Sequence, residues 1–154
     1  MADYRIIEDD LTGAAVLGLL AFHLGEMHAL SPPSNVHAMP VERLRQSDVT
    51  FFSAWSGEDL AAVGALREIA AERAEIKSMR AAPAYRGQGA GEAILLHLMK
   101  VAQGRGYSWL GLETAWPEPW RAARALYRKH SFVQCEDFGD YRGGEFSLCM
   151  SLAV

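Results

Sequence analysis

The sequence predicts a mixed α/β fold, with strands and helices interleaved in a single domain over residues 1–154. Three observations lead there. Helical apolar spacing recurs in separated blocks, most clearly over residues 89–103, where Ile94, Leu95, Leu98, Val101 and Ala102 form one stripe. Between the blocks lie short runs rich in β-branched and aromatic residues, best seen over residues 49–55. Half of the 154 residues are hydrophobic and 22% are charged, the balance of a chain that buries a core.

Taken in order, residues 4–7 read as a first strand, and residues 13–30 as a helix stopped by Pro32 and Pro33. A short helix is expected over residues 41–45. Residues 49–55 and 60–68 form a hairpin around Gly57, Glu58 and Asp59. A further strand covers residues 74–81 and ends before Pro83, ahead of the helix over residues 89–103. The rest reads as a strand over 109–113, a helix over 120–130, and strands near 132–135 and 146–152.

The net charge of −4, with no basic stripe, argues against binding nucleic acid through phosphate contacts. The longest apolar run, residues 11–24, is too short to cross a bilayer comfortably, contains His23 and is followed by Glu26. Its leader is acidic where a secretory signal would be basic, so a buried amphipathic helix is the better reading. Cys135 and Cys149 make no disulfide framework and lack CxxC spacing, and both fit buried strand positions. These features describe a reduced, cytoplasmic protein that engages no membrane.

Residues 85–96 read YRGQGAGEAILL, with three glycines at alternate positions directly before the strongest helix. A strand, a glycine turn and a helix N-terminus together form an anion site, because first-turn N–H groups are unpaired and the dipole favours negative charge. A dinucleotide fingerprint counted from Gly87 requires glycine where Glu92 stands, and no G-K-[ST] tripeptide is present for a nucleotide P-loop. A plain tight turn would leave Arg86 and a second motif downstream without a role.

The stretch Arg86-Gly87-Gln88-Gly89-Ala90-Gly91 resembles the R/Q-x-x-G-x-G/A signature of the GCN5-related N-acetyltransferases, the GNAT family. The resemblance extends upstream through AEIKSMRAAPAYRGQGAG and downstream through ARALYRKHSF, which looks like the family's A-x-x-L-Y-x-x-x-G-F segment. It covers essentially the whole chain and points to the family's small bacterial single-domain branch. It implies a twisted, mostly antiparallel sheet of six to seven strands, with a splayed parallel pair around the cofactor and about four helices.

The same resemblance implies that acetyl-CoA is the acetyl donor. Its pyrophosphate would rest on main-chain groups of Arg86, Gly87, Gln88, Gly89, Ala90 and Gly91, with Glu92 at the edge. Its pantetheine arm would lie along backbone groups of Met79, Arg80 and Ala81. Attack of an amine on the thioester needs a proton acceptor. Glu75 matches a fourth-strand glutamate that serves as base in some members; its plainer reading is an exposed carboxylate, or a partner for Arg73 or Lys77. Glu113 is a second candidate. Tyr127 matches the tyrosine that protonates the departing thiolate, and a phenol near pKa 10 holds its proton at neutral pH. Two departures stand out: Trp120 replaces an asparagine common in the family, and Ser131 replaces the glycine before the phenylalanine.

For the acceptor, the resemblance points to the first two helices, the loop between them and late strands, and LSPPSNVHAM looks like one branch of small bacterial acetyltransferases. His28, His37, Trp55 and Asp140 are the residues that would hold it, and a small-molecule amine is the acceptor expected of a lone domain of this length. Glu136, Asp137 and Asp140 keep open a protein or peptide amine, and a sensor that binds acyl-CoA without transfer is a third reading. His23 and His28 are five residues apart, on different helix faces, which argues against a shared metal. Dimers are frequent in the family.

Overall fold

The computed structural model describes residues 3–139, 141 and 144–154. One seven-stranded sheet organises them, in the order β1-β2-β3-β4-β5-β7-β6. Its strands are β1 (Arg5–Glu8), β2 (Val49–Ser56), β3 (Asp59–Ala70), β4 (Arg73–Ala81), β5 (Trp109–Ala115), β6 (Val133–Gln134) and β7 (Ser147–Ala153). Every pairing is antiparallel except β4 with β5. The helices are α1 (Ala14–Leu30), α2 (Val41–Leu44), α3 (Ala90–Gly104) and α4 (Arg121–Lys129). The predicted elements are all present, with boundaries moved by a residue or two where ladder pairing continues past the apolar run.

Strand alternation sends neighbouring side chains to opposite faces. Phe52 enters the larger core with Ile94, Leu95, Leu98 and Ala102 of α3, whereas Phe51 enters a second core with Val16, Leu19 and Leu20 of α1 and Leu44 of α2. Gly64 of β3 lies beneath α3; a Cβ there would come within 2.5 Å of Ile94 Cγ2, so α3 can approach the sheet only because that side chain is missing.

The helix over the long apolar run departs from the expected amphipathic pattern. Helix α1 buries Val16, Leu19 and Leu20 but leaves Phe22 and Leu30 exposed, because only one of its faces meets the sheet. Leu11 is buried ahead of the helix, in a left-handed turn with φ 63°. Of the two cysteines, Cys149 is buried in β7, and burial pushes its thiol up to about 12. Cys135 differs from expectation: it is only partly buried and follows β6, donating its N–H to the Cys149 carbonyl. No helix among the described residues is long and apolar enough to cross a membrane.

At the end of α4, Ser131 takes the left-handed conformation at φ 73°. The N–H of Phe132 bonds to Tyr127 O and that of Ser131 to Arg128 O, both at 3.1 Å, which is the Schellman closure with Ser131 in the position glycine prefers. The left-handed region costs an ordinary residue about 1–2 kcal/mol, partly offset because glycine gives up more chain entropy on folding. Ser131→Gly is therefore expected to raise stability by about 0.5–1 kcal/mol, read as a higher denaturation midpoint with unchanged slope; an equal or lower midpoint would show that no strain resides there.

Candidate active site

Strands β4 and β5 pair only through Arg73, Ala74 and Glu75 against Trp109, Leu110 and Gly111. Beyond Glu75 they diverge, although β4 continues to Ala81 and β5 to Ala115. The inner edge of β4 is left unpaired along its second half. In that half the β3–β4 register slips between Val63 and Ala65, where Ser78 adopts φ 56°, a β-bulge that bends the strand. The gap opens into a cleft of about 890 Å³, walled by α1, the loop after it, the start of α3, and α4.

At one end lies the glycine turn. Gly87 and Gly89 have φ of 73° and 82°, a conformation open to glycine and strained for other residues. Gly89 is the N-cap of α3, and no side chain caps that end. A Cβ built on Gly87, Gly89 or Gly91 would meet nothing within 4 Å, so the turn faces open space with first-turn N–H groups unclaimed. Arg86, Gly87, Gly89, Ala90, Gly91 and Glu92 all line the cleft, whereas Gln88 does not. The Gln88 side chain turns back to donate to Ala84 O at 2.9 Å.

Met79, Arg80 and Ala81 line the cleft as well, with the side chains of the first two committed elsewhere. Met79 packs against the larger core. Arg80 reaches α1, where Nε donates to His23 Nδ1 at 3.0 Å and Nη1 to Glu26 Oε1 at 2.7 Å. Burial pushes the His23 pKa down to about 4, with Arg80 adding to the effect, so the imidazole is neutral and can accept from the guanidinium. Arg86 lies 3.6 Å from the same Glu26. Glu92 accepts from Lys129 Nζ and His130 Nε2, both at 2.7 Å, and ties the start of α3 to the end of α4. Lys129 holds its carboxyl below the ordinary range.

Tyr127 projects from α4 into the cleft, 7% exposed, with its ring tilted against Phe132 at 5.9 Å. Its hydroxyl has no hydrogen-bond partner among the described residues, and burial pushes its pKa up to about 12. Trp120 stands at the N-cap of α4 with its ring edge-on to Phe146 at 5.1 Å, so the position of the family's asparagine carries an aromatic wall.

The carboxylates divide differently from the reading of Glu75 as an exposed group. Glu75 is 2% exposed, at the closed end of the β4–β5 pair, and is not among the residues lining the cleft. Its Oε1 accepts from Arg67 Nη1 at 3.4 Å, its Oε2 accepts from the Tyr141 hydroxyl, and Lys77 Nζ lies 3.9 Å away. Arg73 is instead stacked over the Trp109 ring at 4.0 Å. Glu75→Gln is expected to cost about 1–3 kcal/mol of stability, because it removes a buried charge with cationic partners. It should leave the pH profile of turnover parallel to the parent's. A deficit that shrinks at high pH would place Glu75 in proton transfer after all.

Glu113, at the open end of β5, does line the cleft and accepts from His37 Nδ1 at 2.8 Å. Its Oε2 is buried and has no hydrogen-bond partner among the described residues. Burial raises its pKa, opposed by His37, Lys77 and the nearby Ser147 hydroxyl, which makes no hydrogen bond of normal geometry to Oε2. Lys77, itself mostly buried, donates to His37 O at 3.1 Å and to the Tyr141 hydroxyl at 2.7 Å, pinning two loops to β4. Burial lowers its pKa. Lys77 was absent from the site that the sequence predicts, and the separation of 76 positions between His37 and Glu113 hid their pairing; no local spacing signals either.

Of the described residues expected to hold an acceptor, His37 alone lines the cleft. His28 is exposed on α1 and does not line it. Trp55 also lies outside it, packed against the α1 core with Nε1 donating to Ser53 Oγ at 2.8 Å. Asp140 falls outside the described residues.

Residues 19–132 match the model of the acetyltransferase (GNAT) family. The chain belongs to this family. It is 44% identical over 151 residues to the uncharacterized N-acetyltransferase YedL of Escherichia coli (strain K12), covering 98% of this chain and 95% of that one. It is 43% identical over 143 residues to the uncharacterized N-acetyltransferase YsnE of Bacillus subtilis (strain 168), covering 93% and 95%. A Bacillus subtilis acetyltransferase solved in complex with CoA superposes with a TM-score of 0.70 at 18% identity, over 99% of both chains. A GNAT family acetyltransferase from Elizabethkingia anophelis with acetyl-CoA bound gives 0.70 at 16% identity, over 98% of both; at such identities the likeness concerns the fold. The predicted architecture, a mostly antiparallel sheet with one splayed parallel pair and four helices, is the one observed. The protein is thus a GNAT-type acetyltransferase of the small bacterial branch. Its cleft offers an uncapped glycine turn suited to phosphate and an unpaired β4 edge suited to an extended amide-bearing arm.

Proposed function

We propose that this protein transfers the acetyl group of acetyl-CoA to the amine of a small-molecule acceptor, by direct attack with both substrates bound. The observation that carries the reading is convergence. The open glycine turn, the unpaired edge of β4 and the unpartnered hydroxyl of Tyr127 all face one cleft. A non-catalytic sensor needs the first two and has no use for the third.

In this reading the main chain of Gly87 to Gly91 holds the pyrophosphate, and backbone groups of Met79 to Ala81 hold the pantetheine arm. Tyr127 donates its hydroxyl proton toward the leaving sulfur. With a pKa near 12, complete transfer to a thiolate is uphill, so the hydroxyl serves chiefly as a hydrogen-bond donor to the charge developing there. The acceptor enters on the side of His37, Trp120 and Phe146. The loop after α1, pinned by Lys77, walls that side, which supports a small acceptor.

The test is release of free thiol from acetyl-CoA by the purified protein, against a panel of small amines and a panel of peptides. Release with small amines is expected. Release with peptides alone would move the acceptor to the protein class, and tight CoA binding without release to any amine would make the chain a sensor.

A further inference from the structure

We infer that His37, oriented by Glu113, is the group that accepts the proton from the attacking amine. The inference rests on the acetyltransferase reading above and supplies the proton acceptor that Glu75, held away from the cleft, cannot provide there.

The chemistry of the contact fixes the imidazole. Glu113 Oε1 lies 2.8 Å from His37 Nδ1, and a carboxylate can only accept. When the ring is neutral, its single proton must therefore sit on Nδ1, which leaves the lone pair of Nε2 free. That nitrogen has no protein partner among the described residues and is not enclosed, and the ring, 24% exposed, lines the cleft. Glu113 cannot do the work itself: its second oxygen is buried from solvent, with no hydrogen-bond partner among the described residues. Glu113 is thus the positioning residue and His37 the catalytic one.

The surroundings hold the ring in place. Lys77 of β4 bonds the His37 carbonyl at 3.1 Å, and the Tyr141 ring meets the imidazole edge-on at 4.9 Å. The titratable groups facing His37 are Glu113 from β5, Lys77 from β4 and Tyr141 from the loop before β7, with Glu75 behind the Tyr141 hydroxyl. Once protonated, the ring becomes an imidazolium against the Glu113 carboxylate, a charge-assisted pair.

The proton count closes. As the amine nitrogen bonds to the acetyl carbon, the carbon–sulfur bond breaks. One N–H proton passes to His37 Nε2, the sulfur leaves as a thiolate held by the Tyr127 hydroxyl, and the thiolate takes a proton from solvent as the imidazolium gives one up. The products are the N-acetylated amine and the free thiol.

The experiment compares the parent with His37→Gln, His37→Ala and Glu113→Gln, using whichever amine the parent acetylates. His37→Gln should lower turnover at pH 7 by about tenfold or more, with CoA affinity within about twofold of the parent. The deficit should narrow above pH 9, where free amine is abundant, and added imidazole should restore part of the turnover of His37→Ala. Nitrogen-detected NMR of the parent imidazole should show the Nδ1–H tautomer, a preference that Glu113→Gln should weaken as the carboxylate acceptor is lost. Unchanged turnover in His37→Gln overturns the inference. So does an Nε2–H tautomer in the parent, or a loss of equal size at every pH that imidazole does not rescue. A parent that acetylates no amine overturns the acetyltransferase reading instead, and the proton-acceptor role with it.

Discussion

Replacing Tyr127 by phenylalanine is expected to lower turnover about a hundredfold, the lower end of what general acids contribute. The substitution keeps the ring against Phe132 and deletes only a hydroxyl that no described residue binds. No buried partner is then left unsatisfied, so the melting temperature should hardly move. The donor's contact is made only as negative charge builds on sulfur, so CoA affinity should also stay within about twofold. The size follows from the environment: burial that raises the phenol to about 12 keeps the proton in place at every working pH but weakens the group as an acid. Steady-state turnover, CoA calorimetry and thermal melts on both proteins decide the matter. Full turnover in Tyr127→Phe would leave proton delivery to water and reduce Tyr127 to a packing residue.

The second expectation concerns the glycine turn and needs two variants. Gly91→Val adds a branched side chain in the first turn of α3 where a Cβ meets nothing within 4 Å, at a φ that other residues accept. Valine is a better helix residue than glycine, so the melting temperature should hold or rise slightly. The affinity for CoA should fall at least about tenfold, equivalent to losing one charge-assisted hydrogen bond or so to phosphate. Gly89→Val should also lose affinity, but with a lower melting temperature, because its backbone sits at φ 82°, where a β-branched residue is strained. The left-handed cap at Gly89 makes Gly91 the cleaner probe. A folded Gly91→Val that binds CoA as tightly as the parent would disconnect the turn from the cofactor.

Much of this molecule was legible before any coordinates. Local rules suffice where a residue's conformation is set by its near neighbours. The apolar stripe of α3, the prolines after α1, the β-branched and aromatic run of β2 and the apolar run of β7 placed their elements, because helix and strand periodicity are properties of a few consecutive residues. The glycine turn was legible for the same reason: positive φ at Gly87 and Gly89 is a local demand that the sequence writes in glycine. Ser131 shows the reverse, since the Schellman closure of α4, with Phe132 buried just after it, imposes a glycine conformation on a residue that does not favour it.

What the fold alone decided is which polar groups meet. Two carboxylates on neighbouring strands look alike as text, yet the parallel pairing of β4 and β5 stops at Glu75, and only strand divergence beyond it opens a cleft. Glu75 is therefore sealed at the closed end beneath Arg67, Lys77 and Tyr141, while Glu113 lies where the strands have parted, against His37. Its partner arrives from a loop 76 residues earlier in the chain, anchored by a lysine of β4. Burial then tunes each group, because the cost of charge depends on how much water the surrounding elements exclude, and no stretch of sequence records that.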